Sequence, residues 1–442
     1  MPLELESLPI QICEVLSAYG VSCNPLGLVS GPSIHRVGIR PKPGVKVAKI
    51  RACAEDLQVQ LGLPQAPLIA PKPGAVALDI PRLDRQSCLL HEYVPDGRIA
   101  SPSDPLRFPL GVQLNNQVYW LTLSDAESCH ILGAGTTGSG KSALLKTVAI
   151  SLCGFNHPEH LKLAIIDPKK VTFTRFGGLP WLFQDKIFRN PEESTELLSL
   201  LSGEVLQRYD RFQVAAVEDI CQYNALKIKQ RRYQDILPRI VVIADEFAQL
   251  ATHPDYKEAL DRALEILGEM ARAAGIHLIF FTQRPSADVV IPRLRANLPR
   301  RIALKVADIH NSAIILGDKV GDAAHLLGKG DMLVGGQGNE LIRLQALFAP
   351  DELINAFVQR HRQARDGEVS LEAAQQWQQL CQLDGNTAKL RFFEPNASKG
   401  GNYWRRAARE YNKLACLFNA PLIPGEKKRP RHDGCQHYRF VF

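Results

Sequence analysis

Four glycines fall within the eight residues "GAGTTGSG" (133–140), and Lys141 and Ser142 follow directly. Strand-like "CHIL" precedes this stretch and helix-like "ALLKTVAISL" follows it. Glycine at this density costs conformational entropy, so it is expected where the backbone must adopt φ > 0 and approach a ligand closely. Gly135, Gly140, Lys141 and Ser142 fit the pattern G-x-x-x-x-G-K-[ST]. The loop would aim successive N–H groups at one point, and the next helix would add its N-terminal dipole. A strand, a phosphate-binding loop and a helix in that order commit the chain to an α/β architecture. The candidate nucleotide-binding residues are Gly135, Thr136, Thr137, Gly138, Ser139, Gly140, Lys141, Ser142 and Ala143. Lys141 is assigned to the β/γ-phosphates of ATP and Ser142 to Mg²⁺.

The surrounding sequence supports a parallel sheet. Apolar runs "LKLAIID", "RIVVIAD", "HLIFFTQ", "RIALKVA" and "DMLVG" recur after residue 106, with long helix-like stretches between several of them. Continuous apolar strands that alternate with helices predict a mainly parallel sheet covered on both faces. Residues 1–105 read as a smaller α+β domain, in which "RPKPGVKV" and "APKPGAVALDIP" predict turns between strands. Residues 106–365 read as the nucleotide-binding domain, and 366–442 as a basic C-terminal region.

Two strand ends carry further chemistry. "RIVVIADEFAQL" delivers Asp245 and Glu246 to the sheet edge where ligands bind in open α/β folds. Asp245 is the second expected Mg²⁺ residue, and Glu246 the group that orients and polarises water. The same acids also suit the start of a helix. "HLIFFTQR" ends in Thr282 and Gln283, where Gln283 is positioned to sense the γ-phosphate or to satisfy local backbone groups. The combination describes an NTP-hydrolysing core that works by positioning and charge stabilisation. Lys169 and Lys170, after another strand end, read equally as DNA-channel or surface lysines.

The motifs then converge on a family. "GPSIHRVGIRPKPGVKVAKI", "GAGTTGSGKS", "AIIDPK", "IADEFAQL", "ARAAGIHLIFFTQRPSADVVI" and "LLGKGDMLV" occur in one order across residues 30–350. In this the chain resembles the FtsK/SpoIIIE double-stranded-DNA translocases. The resemblance implies a RecA-like P-loop ATPase that forms a hexameric ring around duplex DNA and pumps it by ATP hydrolysis. Arg272 in "ARAAGIH" matches a family position and is the candidate catalytic arginine acting on a neighbouring subunit. It also suits a helix C-terminus just before Gly275. Where family members often read "SRTIL", this chain has Ser312-Ala313-Ile314-Ile315-Leu316, so the family arginine is replaced by Ala313. Arg300 and Arg301 are its possible substitutes or solvated strand-entry residues. A clamp that hydrolyses ATP only as a switch is the alternative to a processive motor. A relative that moves DNA between cells or into a compartment, or a coupling ATPase for protein secretion, is the third reading.

Composition restricts the partners. The net charge of +7 favours an anionic one. No run approaches the ~20 apolar residues of a spanning helix, so a cytoplasmic protein without membrane insertion is expected. Ten scattered cysteines without a C-x-x-C pair read as reduced thiols. The segment 386–442 holds twelve Lys/Arg against four Asp/Glu. Within it Trp404, Ala407, Ala408, Tyr411, Leu414, Ala415 and Phe418 recur at helical spacing, which predicts a basic amphipathic helix for DNA or a protein partner. His432, Cys435 and His437 lie close together there but lack a fourth ligand, and read as a polar tail.

Overall fold

The computed structural model describes residues 5–97, 99–317, 321–336, 341–365 and 440–441. The expected amphipathic helix and the His432–His437 cluster lie outside the described residues. So do three of the ten cysteines; the seven described ones carry free thiols.

The chain begins with a small α+β unit. Helix α1 (Leu8–Ala18) buries Leu8, Ile12 and Leu16, one stripe at four-residue spacing. Strands β1 (Cys23–Ser30) and β2 (Ile34–Pro41) follow, then α2 (Val47–Ala52) and α3 (Ala54–Leu61). Strands β3 (Leu68–Lys72) and β4 (Ala75–Pro81) complete an antiparallel sheet of order β1-β2-β4-β3. Leu8, Ile12, Val37, Ile50, Leu57 and Leu78 share its core. The second proline-lysine-proline-glycine segment turns the β3–β4 hairpin, with Gly74 at φ +72°. The first leads from β2 into α2 and not into a strand. Its following "VKVAKI" alternates like a strand, but helical spacing is what brings Ile50 into the core.

Next come the short turn α4 (Leu90–Tyr93) and β5 (Asp96–Gly97). The hairpin β6 (Arg107–Val112) and β7 (Val118–Thr122) precedes β8 (His130–Ala134) and α5 (Lys141–Phe155). Strand β9 (Leu161–Ile166) is followed by α6 (Pro191–Ala215) and α7 (Ile220–Lys229). Strand β10 (Arg239–Ala244) leads through α8 (Ala248–Ala251) to α9 (Lys257–Ala274) and β11 (Ile276–Thr282). Then follow α10 (Pro292–Asn297), β12 (Arg300–Leu304) and α11 (Ile309–Leu316). The order closes with β13 (Asp331–Gly335), β14 (Ile342–Ala346), α12 (Asp351–Arg365) and β15 (Phe440–Val441), which pairs with β5. Cys88, Leu90 and Val94 share a core with β8 and α5, so on packing the residues after the low eighties go with this second unit.

The central sheet has nine strands in the order β7-β6-β14-β13-β12-β8-β11-β10-β9. Its buried strands separate two cores by their period of two. Val241 and Ile243 of β10 face α5, whereas Ile240, Val242 and Ala244 face α6 and α9. All five apolar runs read from the sequence are strands, but the expected mainly parallel sheet is corrected to a mixed one. The pairs β9–β10, β10–β11, β11–β8 and β8–β12 are parallel. The pairs β12–β13, β13–β14, β14–β6 and β6–β7 are antiparallel. The reversal is set by the segment before β13. Gly330 donates to Ser139 O at 2.8 Å, so the chain is still at the P-loop edge when β13 begins and must run back from there.

Two helix ends show why these segments stop and start where they do. Asn190 caps α6 by accepting from Glu193 N at 2.8 Å, with Pro191 in the first turn. Gly275, at φ +71°, ends α9 as expected for a C-terminal glycine. Among the described residues no helix is long and apolar enough to cross a membrane.

Candidate functional site

The site forms at the ends of β8, β9, β10 and β11. Gly135 N donates to Thr282 O at 3.1 Å, and Thr136 N to Lys305 O at 2.9 Å, so both neighbouring strands hold the loop. Thr136 Oγ1 also donates to Lys305 O. Thr136 therefore anchors the loop with both of its donors. Gly138 and Gly140 stand at φ +79° and +100°. A Cβ on Gly140 would lie 2.6 Å from Gly330 N, so glycine is required there for packing as well as for conformation. Helix α5 then starts at Lys141, directly after the loop, with Gly140 as its N-cap and no side chain capping its first turn.

Lys141, Ser142, Asp245 and Glu246 are brought together as the sequence predicts. Lys141 Nζ donates to Asp245 Oδ1 at 2.5 Å and to the Asp245 carbonyl. Both side chains are 3% exposed. Asp245 Oδ2 accepts from Thr172 Oγ1 at 2.6 Å, and Thr172 Oγ1 lies 3.2 Å from Ser142 Oγ. Glu246 is gripped on both oxygens. Its Oε1 accepts from Thr282 Oγ1 at 2.7 Å and from Gln283 N at 3.2 Å, and its Oε2 from Lys169 Nζ at 3.0 Å.

These donors fit a magnesium-bound nucleotide. Ser142, Thr172 and Asp245 present hard oxygen ligands, which suit Mg²⁺, and Lys141 places a cation beside them. Gly138 has open space where a Cβ would stand, so its positive φ, and not crowding, is what calls for glycine there. Among the described residues no cluster of three His, Cys, Asp or Glu side chains forms a separate metal centre.

Other expected residues sit differently. Gln283 reaches Glu246 through its backbone amide. Arg272 is exposed near the end of α9, by the start of β11, whereas the site lies at that strand's other end. Seven strand residues at about 3.3 Å each put it about 20 Å from its own P-loop. Arg300 and Arg301 are buried and are not solvated strand-entry residues. Burial pushes Arg301 down to about 10, and its guanidinium donates to Arg295 O.

Sequence reasoning missed Thr172, because it lies six residues beyond β9 in a loop without periodicity. It also missed a buried ionic chain behind the P-loop. Asp79 of β4 binds Arg36 of β2 at 2.6 and 2.8 Å and Arg343 of β14 at 3.1 Å. Arg343 continues to Asp331 at 3.0 and 2.7 Å, and Asp331 also accepts from Leu327 N. Asp331 follows Gly330, whose N–H holds Ser139. The small unit, the segment 327–331 and the P-loop are thus joined in one polar chain. Burial works to raise the Asp79 carboxyl, but hydrogen bonds from Arg36 and the charges of Arg343 and Arg36 outweigh it and hold it below the ordinary range. Burial opposes the Arg343 charge too, yet Asp331 and Asp79 raise its guanidinium further.

Comparison with known proteins follows the same division. A model of the FtsK/SpoIIIE family matches residues 90–287, and one of the FtsK alpha domain matches residues 3–82. A DNA translocase FtsK of Clostridium acetobutylicum is 35% identical over 360 residues, 80% of this chain and 46% of that protein. An uncharacterized FtsK-like protein of Nostoc sp. is 34% identical over 349 residues, 77% of this chain and 47% of that one. The chain thus spans about half the length of these relatives. Among solved structures, the pCW3 conjugation coupling protein TcpA, in a monomer form with ATPgS, aligns at TM-score 0.51 and 20% identity. That alignment covers 78% of this chain and 96% of TcpA. The cytoplasmic domain of the Thermomonospora curvata type VII secretion ATPase EccC aligns at TM-score 0.53 and 23% identity, over 62% of this chain and 34% of that one. Both share its fold.

Proposed function

Because the chain belongs to the FtsK/SpoIIIE family, we propose that it is an ATP-driven motor that moves double-stranded DNA through a hexameric ring in the cytoplasm, for DNA segregation or transfer. The observation that carries this reading is the joint placement of Lys141, Asp245, Thr172 and Glu246 at one sheet edge. Bound MgATP supplies the phosphoryl group whose transfer to water drives the cycle. Lys141 and the P-loop amides would bind the phosphates, and Ser142, Thr172 and Asp245 would hold the Mg²⁺. Glu246 accepts a hydrogen bond from water and orients it, while Thr282 and the Gln283 amide fix the carboxylate.

Arg272 is exposed at the end of the sheet opposite its own site, so its proposed catalytic role belongs to a neighbouring subunit. That role predicts rescue on mixing. Rings that combine Arg272→Ala and Glu246→Gln subunits should regain turnover at interfaces where both intact residues meet. Mixed rings that stay inactive at every ratio would remove Arg272 from the mechanism. The reading as a whole predicts an ATPase rate that rises severalfold with linear duplex. A rate indifferent to duplex would refute it.

A further inference from the structure

The Lys169–Glu246 pair lies outside the roles assigned so far. Lys169 sits on the tip that follows β9, where Lys169, Lys170 and Val171 are exposed, Val171 by 77%. The base of that tip is fixed. Asp167 accepts from Phe173 N at 2.8 Å, and Thr172 binds Asp245. Lys170 adopts φ +58°, which turns the tip sharply. One short segment therefore touches the Mg²⁺ side of the site through Thr172 and the water side through Lys169.

We infer that Lys169 is a positioning residue that restrains Glu246, and that backbone phosphate of a bound duplex releases it. The outer oxygen of Glu246 accepts from the Lys169 ammonium group at 3.0 Å, so that lone pair is engaged and is not open to a water. The restraint is built to exchange. Glu246 is 6% exposed in its side chain but Lys169 is 35% exposed, so the pair is screened and a second anion can reach the lysine. Lys170 beside it adds a second cation for the same phosphate track. Thr282 and the Gln283 amide keep Glu246 in place when Lys169 leaves. Duplex occupancy would thus be converted into a competent base without movement of the P-loop. This inference rests on the duplex-DNA reading above.

The test is ATPase activity of the full chain with and without linear duplex, in wild type, Lys169→Met and Lys169→Arg. Lys169→Met keeps the aliphatic stem and removes the charge. Its DNA-free rate should rise severalfold, and its ratio of stimulated to unstimulated rate should fall toward one. The slope of log binding constant against log salt should drop by about one. Lys169→Arg should restore both the low basal rate and the stimulation. An unchanged or lower DNA-free rate in Lys169→Met, with stimulation intact, overturns the inference. A raised KM for ATP with stimulation intact shows that nucleotide phosphate displaces Lys169, which overturns the role of the duplex. Failure of the underlying reading appears separately, as a wild-type rate that ignores duplex.

Discussion

Glu246→Gln should bind ATP as the wild type does and hydrolyse it about 10²–10⁴ times more slowly, the usual loss when a general base is removed. The substitution keeps size and shape, so the amide still lies beside Thr282 and Gln283. What it loses is the negative oxygen that draws a proton from water. Binding should survive because the groups proposed for the phosphates, Lys141 and the first turn of α5, belong to other elements. Single-turnover hydrolysis alongside equilibrium binding of a labelled ATP separates the two effects. Turnover undiminished in Glu246→Gln would move the catalytic role elsewhere.

Arg343→Leu should lower the unfolding free energy by about 3–5 kcal/mol, the scale for breaking a buried ion pair on one side. Arg343 is 4% exposed and bridges Asp79 and Asp331, which are 3% and 2% exposed. Leucine leaves Asp331 with the Leu327 amide and the nearby charge of Arg85, and strips Asp79 of one of its two arginines. The cost depends on pH with a definite sign. The Asp79 carboxyl lies below its ordinary range in the fold, so its contribution is full above the unfolded value near 4. It is lost as pH falls through the lower folded value. The gap between wild type and variant should therefore be complete at pH 7 and narrow in strong acid. Urea midpoints across that range measure it, and equal midpoints at pH 7 would show that the chain of charges is energetically idle.

Much of the site was legible because a strand, a glycine loop and a helix leave a fixed spacing. Gly135 to Ser142 and the pair Asp245–Glu246 end buried strands, so the apolar runs alone put them at one edge. The direction of β13 was not legible, because "DMLVG" is as apolar as the parallel strands. Its reversal depends on Gly330 binding Ser139, a contact between residues nearly two hundred positions apart. Thr172, and the pairing of Lys169 with Glu246, were hidden for a related reason. Their roles come from a loop that folds back onto β10, and a loop has no period to read. The Asp79–Arg343–Asp331 chain joins three strands of two units, and in sequence each member looks like an ordinary surface charge. Arg272 shows the converse. A motif match marked it, but only the direction of β11 reveals that it lies at the opposite end of the sheet from its own nucleotide loop.

Coupling of ATP hydrolysis to movement along duplex DNA is tested most directly by displacement of a third strand. A labelled oligonucleotide bound as a triplex at one end of a linear duplex is stripped only by a protein that travels to it. The wild-type chain with ATP should release the third strand, with a delay that grows with the length of duplex ahead of it. Glu246→Gln should release none. Duplex-stimulated hydrolysis by the wild type with the triplex left intact would contradict translocation and leave a clamp that uses ATP as a switch.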